Sequence, residues 1–369
     1  MRKNILLAYI SDVSGHRSAA AAIEKALKLI EPEAQILSVN LFSYTNPYSE
    51  KFINHLYTLV IKKMPQIWEY LYDNPKVVKS TEYVKNIIHK FNSKKLKKLF
   101  DEFNPDIIVC TQAFPCGMFA DFKKIYRYET PLVGVVTDFF PHSYWAYPNV
   151  DYYTVANEES KRRLIEQGID PKRIMLLGIP IDPKFSFASD KARIAKKIGF
   201  DLSVPIILVM GGGQGLGPIK TIVRSLDSLK LDLQIIIATG SNIKLYGELR
   251  KMHFSKKHLI LGYVNNINEL MEVSSVIVTK PGGLTISEAL AKSVIPVIVR
   301  PIPGQEENNT KFLLRNNAAF KIENSEEVPG IIKRLLSDSK QFTEVMENIK
   351  SIAKPRAALD VASLILKNA

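Results

Sequence analysis

The run Lys280-Pro281-Gly282-Gly283-Leu284-Thr285-Ile286-Ser287-Glu288 is the part of this chain best equipped for chemistry. The apolar residues at 276–279 predict a strand, Pro281-Gly282-Gly283 forces a tight turn, and 284–291 predicts a helix. The first N–H groups of a helix have no partner within it, so a start of this kind, with Gly282, Gly283, Leu284 and Thr285 in its first turn, suits a diphosphate. Lys280 adds positive charge, and Glu288, one turn in, is placed to accept hydrogen bonds from ribose hydroxyls. After the next apolar run, 295–299, comes Pro301-Ile302-Pro303-Gly304-Gln305-Glu306-Glu307-Asn308-Asn309. Here Gln305, Glu306 and Asn309 have the amide and carboxylate groups that read sugar hydroxyls. Two successive strand–loop–helix units carrying these groups in this order point to a nucleotide diphosphate-sugar.

A second glycine cluster, Gly211-Gly212-Gly213-Gln214-Gly215, follows the apolar run 206–210 and precedes Pro218, a residue suited to a first helical turn. Its glycines let backbone N–H groups approach an anion closely. It is not the Rossmann G-x-G-x-x-G, because no acidic ribose partner follows about 20 residues on, and no Gly-Lys-Ser/Thr makes it a Walker loop. As a bare loop it serves structure as readily as a ligand. His16 follows the predicted strand 4–10 and opens an alanine-rich helix over 19–29. A helix N-terminus disfavours the imidazolium and keeps the ring able to accept a proton near neutral pH. The residues alone leave two roles for it, general base or capping histidine. Asp138 and His142, just past the run 132–137, are spaced for an acid–base or orienting pair. The plainer alternative is that Asp138 caps a turn while Tyr144, Trp145 and Tyr147 pack.

These groups must be carried by a scaffold, and the chain is long enough for two cores: 369 residues, 46% hydrophobic. No apolar run approaches the roughly 18 to 20 residues of a membrane span. The basic N-terminus is followed by only a short apolar run with no cleavage signature, so it reads as a first strand and the chain as cytoplasmic. Cys110 and Cys116, the two cysteines, lack the spacing and the histidine partners of a zinc site and read as buried thiols. The net charge of +13 is concentrated early, with sixteen basic against eight acidic residues in the first 100, and calls for an anionic partner. Nucleic acid is not indicated: zinc-finger, helix-turn-helix and RNP-type patterns are missing from the sequence. An anionic membrane surface fits the charge better. Apolar residues over 52–71, Trp68 among them, recur at helical spacing, and Lys94, Lys95, Lys97 and Lys98 follow as a basic cluster. This pattern suits either an inward-packed helix pair or a face peripherally attached to a membrane.

Strand candidates at 4–10, 34–40, 106–111, 132–137 and 152–155 alternate with helical stretches, and a second series follows at 206–210, 233–238, 258–261, 276–279 and 295–299. Such alternation predicts an α/β protein with two doubly wound, Rossmann-like domains facing across a cleft. The proline-rich Gly178-Ile179-Pro180-Ile181-Asp182-Pro183 reads as the linker, giving domains 1–182 and 183–353, and 356–367 is helical in pattern.

The blocks at 280–288 and 301–309 resemble the donor site of the diacylglycerol glycosyltransferases, which are related to the N-acetylglucosaminyltransferase of peptidoglycan precursor synthesis. Ser14-Gly15-His16-Arg17-Ser18-Ala19-Ala20, Val136-Thr137-Asp138-Phe139 with His142 and Trp145, and 210–218 resemble the same family in the same order, as do 150–155 and 177–181. The likeness runs from about residue 5 to about residue 315. It implies a GT-B fold, a UDP-sugar donor, an inverting reaction needing no metal or other cofactor, and a lipid acceptor such as 1,2-diacylglycerol. It also implies that 354–369 crosses back onto the first domain. By the resemblance His16 is catalytic, matching the histidine of a glycine-rich loop, although Val13 and Ser14 stand where the family usually has glycines; Asp138 joins it as the second catalytic candidate on its spacing to His142. Gly212, Gly213, Gln214 and Gly215 would lie against the diphosphate, Tyr263 and Val264 against the uracil, and His142 and Trp145 on the acceptor side. Two other readings use the same residues: a UDP-sugar 2-epimerase, and a nucleotide-sugar sensor without catalysis.

Overall fold

The computed structural model describes residues 2–11, 14–45 and 93–369. They form two compact units, one of Met1–Pro183 with Pro303–Gln305 and Arg356–Ala369, the other of Lys184–Ile302 with Glu306–Pro355. The first unit is built on a six-stranded sheet of β1 (Asn4–Tyr9), β2 (Gln35–Asn40), β3 (Ile107–Cys110), β4 (Leu132–Val135), β5 (Tyr152–Val155) and β6 (Ile174–Leu176). Its strand order is β2-β1-β3-β4-β5-β6, and every neighbouring pair is parallel. Alternate residues supply two cores, as the two-residue period of a strand requires. Leu6, Ala8, Ile108 and Cys110 face one core together with Phe119, Phe122, Trp145 and Tyr153. Ile5, Leu7, Ile107 and Val109 face the other. The second core is closed by the helix Gly15–Ile30, through Ala22, Ile23, Ala26 and Leu27, and by the C-terminal helix Ala357–Asn368, through Ala358, Val361, Ala362 and Ile365.

The second unit has its own six parallel strands: β7 (Ile206–Met210), β8 (Gln234–Ala238), β9 (His258–Leu261), β10 (Val276–Thr279), β11 (Ile295–Val299) and β12 (Phe320–Ile322). They are ordered β12-β11-β10-β7-β8-β9, the arrangement of a dinucleotide-binding Rossmann sheet. The central strands are buried on both faces, which is why they read in sequence as unbroken apolar runs.

The predicted strands fall where expected, trimmed by a residue or two at several ends, but β6 and β12 lie outside the expectation. Each has three residues and sits at a sheet edge, too short for a periodic signal. In both sheets the order reverses at one place, between β1 and β3 in the first and between β7 and β10 in the second. Loops leaving the carboxyl ends of the strands diverge there and open a crevice, so these four loops are where each unit can hold a ligand.

Candidate active site

His16 stands at the switch point of the first unit. It lies in the opening turn of the helix Gly15–Ile30, whose N-cap is Ser14, with the Ser14 hydroxyl accepting from the Arg17 N–H at 3.2 Å and donating to the Ser11 carbonyl at 2.9 Å. The serine that departs from the family's glycines therefore serves as a helix cap, in extended backbone that needs no glycine. The imidazole Nδ1 lies 3.0 Å from the Thr111 carbonyl, just past β3, and 2.8 Å from the Thr137 hydroxyl, past β4. Thr111 in turn donates its hydroxyl to the His16 carbonyl at 2.8 Å. A carbonyl only accepts, so Nδ1 carries the proton and Nε2 keeps its lone pair. Burial drives the His16 pKa down to about 4, opposed only in part by the Thr111 carbonyl, and the ring is neutral at physiological pH. Sequence alone does not single out Thr111, and it shows Thr137 only as part of a motif; a threonine ending an apolar strand is too common to announce a role.

The other candidates of this unit divide. Asp138 is buried beside Thr137, at 4% exposure. His142 precedes a short 3-10 turn, Ser143–Trp145, and its ring lies 5.7 Å from that of Tyr144 and 6.3 Å from that of Trp145. Trp145, expected on the acceptor or membrane side, is 1% exposed and packs within the core. Its turn is pinned by Tyr153, whose hydroxyl donates to the Trp145 carbonyl at 2.7 Å and accepts from the Tyr147 N–H at 2.9 Å. Cys110 and Cys116 are buried free thiols. Trp68 and the segment 52–71 lie outside the described residues. Residues 93–103 are helical, with Leu96, Leu99 and Phe100 packed into the core. The basic cluster on this helix is less bare than the sequence implied. Lys97 pairs with Asp101 at 2.5 Å, Lys98 lies 3.7 Å from Glu102, and Lys95 donates to the Thr45 carbonyl.

In the second unit the two glycine segments leave β7 and β10, the strands that flank the switch point. Gly212, Gly215 and Gly217 in the first loop have positive φ. The loop is braced by a third segment unnoticed in sequence, the turn after β8. Ser241 N–H donates to the Gly213 carbonyl at 2.9 Å, and the Asn242 side chain donates to the Gly215 carbonyl at 3.2 Å. A Cβ on Gly215 would lie 1.9 Å from the Thr239 carbonyl oxygen, and one on Gly240 would lie 2.3 Å from that of Gly213. Gly212 and Gly213, by contrast, have nothing within 4 Å of a built Cβ, and Gly213 and Gln214 are exposed. The loop thus separates into glycines that hold it together and glycines that leave room for a ligand.

The turn after β10 ends in Gly282, the N-cap of the helix Gly283–Ala291, and a glycine there has no side chain to cap the helix start. Leu284, Thr285 and Glu288 are half-buried along the first turns of this helix. Gln305 and Glu306 open the next helix, Gln305–Arg315. Glu306 accepts from the Ile302 N–H at 2.8 Å and lies 3.8 Å from the Lys280 ammonium. Burial raises its pKa above the ordinary glutamate range, while Lys280 and the Ile302 N–H work the other way. Lys280, expected beside the diphosphate, is thus seated against Glu306. Asn309, expected at the sugar, is fully buried, and its amide donates to the Pro281 carbonyl at 3.0 Å, which braces the glycine turn from behind. Tyr263 is 71% exposed, and Val264 half-buried, in the loop leaving β9. Among the described residues no group of three or more His, Cys, Asp or Glu side chains is placed to hold a metal ion.

Comparison with known proteins agrees with this geometry. Residues 16–181 match the family described as Monogalactosyldiacylglycerol (MGDG) synthase, and residues 206–364 match the Glycosyltransferase family 28 C-terminal domain. A protein of Bacillus licheniformis named processive diacylglycerol beta-glucosyltransferase is 31% identical over 354 residues, covering 95% of this chain and 91% of its own. The protein of the same name from Bacillus subtilis is 29% identical, covering 99% of this chain and 95% of its own. Among solved structures, the MurG of Acinetobacter baumannii superposes with a TM-score of 0.65 at 14% identity, covering 99% of both chains. The Anabaena HepE complex with UDP-glucose gives 0.55 at 13%, covering 99% of each chain. At these identities the structures speak for the fold, which is that of the GT-B glycosyltransferases. The two matched regions and the relatedness along nearly the whole chain establish that this protein belongs to the diacylglycerol glycosyltransferase family.

Proposed function

We propose that this protein is an inverting hexosyltransferase that moves a sugar from a UDP-sugar to the free hydroxyl of 1,2-diacylglycerol. The observation that carries the reading is the neutral His16 imidazole, held with Nδ1 as donor and Nε2 as proton acceptor, in a chain whose relatives are named diacylglycerol glucosyltransferases. In this mechanism the acceptor oxygen attacks the anomeric carbon as its proton passes to Nε2, and the bond from that carbon to the UDP oxygen breaks with its electron pair leaving on UDP. The Gly282–Gly283 helix start and the open glycines Gly212 and Gly213 would receive the charge growing on the diphosphate. Glu306 and Gln305 would hold the sugar hydroxyls, Glu288 the ribose, and Tyr263-Val264 the uracil. No step of this scheme calls for a metal or a bound cofactor.

A diacylglycerol does not leave a bilayer readily, each CH₂ exposed to water costing about 0.8 kcal/mol, so the enzyme would work while peripherally attached to the cytoplasmic face of an anionic membrane. The net charge of +13 supports that placement, and none of the described helices is long and apolar enough to cross a membrane. The test offers several UDP-sugars with diacylglycerol vesicles and follows products by mass spectrometry. A hexosyl-diacylglycerol formed with release of UDP is the expected outcome. Conversion of UDP-N-acetylglucosamine in the absence of any lipid would replace this reading with a 2-epimerase, and tight UDP-sugar binding without turnover would leave a sensor.

A further inference from the structure

The sugar-transfer reading names a base but does not say what makes it one. Catalytic histidines are commonly oriented by a carboxylate, which fixes the tautomer and also stabilises the imidazolium. The groups bonded to the His16 ring here are both uncharged: the Thr111 carbonyl at 3.0 Å and the Thr137 hydroxyl at 2.8 Å, each on Nδ1. They come from two strands that adjoin in the sheet, β3 and β4, while His16 follows β1. The ring is therefore fixed against the sheet framework rather than by its own helix. Thr111 closes the arrangement by donating its hydroxyl to the His16 carbonyl at 2.8 Å, tying main chain to main chain on either side of the ring. Both threonines are buried, at 0% and 5% exposure, so water does not compete for these bonds.

We propose that Thr111 and Thr137 are positioning residues that lock His16 in its Nδ1–H tautomer through neutral partners, and that Thr137 is the side chain on which this orientation depends. The inference rests on the reading of His16 as the proton acceptor of sugar transfer. A neutral clamp does one thing that a carboxylate does not. It orients the ring while favouring its cation less than a full negative charge would, so the proton taken from the lipid hydroxyl onto Nε2 is given up more readily and the base is restored for the next turnover. Removing the Thr137 hydroxyl leaves the Nδ1–H shared with the Thr111 carbonyl alone, and the ring gains freedom to rotate and to change tautomer.

The experiment combines ¹⁵N-histidine NMR of the resting protein with steady-state kinetics for wild type, Thr137→Val and Thr137→Ser. Wild type is expected to give the nitrogen shifts and couplings of an Nδ1–H imidazole at His16, assigned by their loss in His16→Gln. Thr137→Val is expected to lower kcat by about tenfold to a hundredfold, as misplacement of a reacting group does, with the KM for the UDP-sugar unchanged and a second tautomer in the spectrum. Thr137→Ser, which restores the hydroxyl, is expected to recover both the rate and the single tautomer. An Nε2–H imidazole in wild type overturns the proposal, and so does a Thr137→Val protein with wild-type kcat and spectrum. A Thr137→Val protein that melts early is judged by Thr137→Ser: if serine restores stability but not rate, Thr137 packs and does not position. Failure of the sugar-transfer reading shows differently, as no UDP release from wild type while the Nδ1–H signal persists.

Discussion

Burial acts against a proton on His16 and, opposed in part by the Thr111 carbonyl, moves its pKa to about 4 from a model-peptide value of 6.5. The unfolded chain therefore binds a proton between those values that the folded chain does not, so stability rises with pH across the window from 4 to 6.5. That window is worth at most on the order of 3 kcal/mol. His16→Gln is expected to flatten this part of the stability profile in urea titrations, to lower kcat by about 10²- to 10⁴-fold, and to leave UDP binding intact. A collapse of UDP affinity would move the residue to the donor side. Glu306 runs the opposite way. With its pKa raised by burial, the fold loses stability as pH climbs from the ordinary glutamate range through the raised one. If its ionised form holds the sugar hydroxyls, the KM for the UDP-sugar should rise as pH falls through that raised value. Glu306→Gln should remove this dependence and weaken donor use by roughly 1.5 to 3 kcal/mol; a KM that keeps its wild-type value and pH dependence would show that Glu306 only braces Ile302 and Lys280.

At the scale of elements, the second unit uses turns to hold turns. Asn309 supports the Pro281 carbonyl from the following helix, and the turn 239–242 supports the glycine loop from the next strand. Asn309→Ala leaves a buried carbonyl without its donor, a cost of about 1 to 3 kcal/mol in stability, and should also raise the KM for the UDP-sugar because the helix start behind which it sits is no longer held. The glycines separate by the same reasoning. Gly215→Ala places a methyl group 1.9 Å from a carbonyl oxygen at a φ of +60° and should lower the melting temperature. Gly213→Ala meets open space and should fold normally, yet weaken UDP binding measured by calorimetry, since the added methyl occupies the approach to the loop. Unchanged UDP affinity in Gly213→Ala would remove this loop from the diphosphate site. Lys97 and Lys98 already have Asp101 and Glu102 beside them, so replacing Lys94 and Lys95 by Gln should weaken co-sedimentation with anionic vesicles more than replacing Lys97 and Lys98. Equal loss on a short-chain soluble acceptor would mean that these lysines serve the fold.

For the whole molecule, the C-terminal helix matters most to the way the chain is assembled. Ala358, Val361, Ala362 and Ile365 complete the core of the first unit against the helix Gly15–Ile30, although 184–302 and 306–355 of the chain come before them and form the second unit. Ending the chain after Pro355 would expose that apolar face and the core residues Ile23, Ala26 and Leu27 beneath it. Such a truncation should lose the cooperative melting of the first unit while UDP binding by the second survives. Full activity of the truncated protein would show that the helix is dispensable.

The sequence by itself determined the α/β class, the ten longer strands and, to within a residue at its start, the helix predicted at 284–291, because buried parallel strands are unbroken apolar runs and glycine turns are local. It also pointed to the family, since the groups that carry the resemblance lie within a few residues of one another along the chain. What only the tertiary structure decided depends on which strands become neighbours. Thr111 and Thr137 are 95 and 121 residues from His16, and nothing local in either position announces the ring they hold. Trp145 and Asn309 carried side chains suited to a surface or a ligand, and the packing of β5 and of the turn at Pro281 enclosed both. The edge strands β6 and β12, with three residues each, exist because a neighbouring strand offers free backbone groups to pair with. Local chemistry is written in the order of residues; its orientation is set by contacts that the order does not contain.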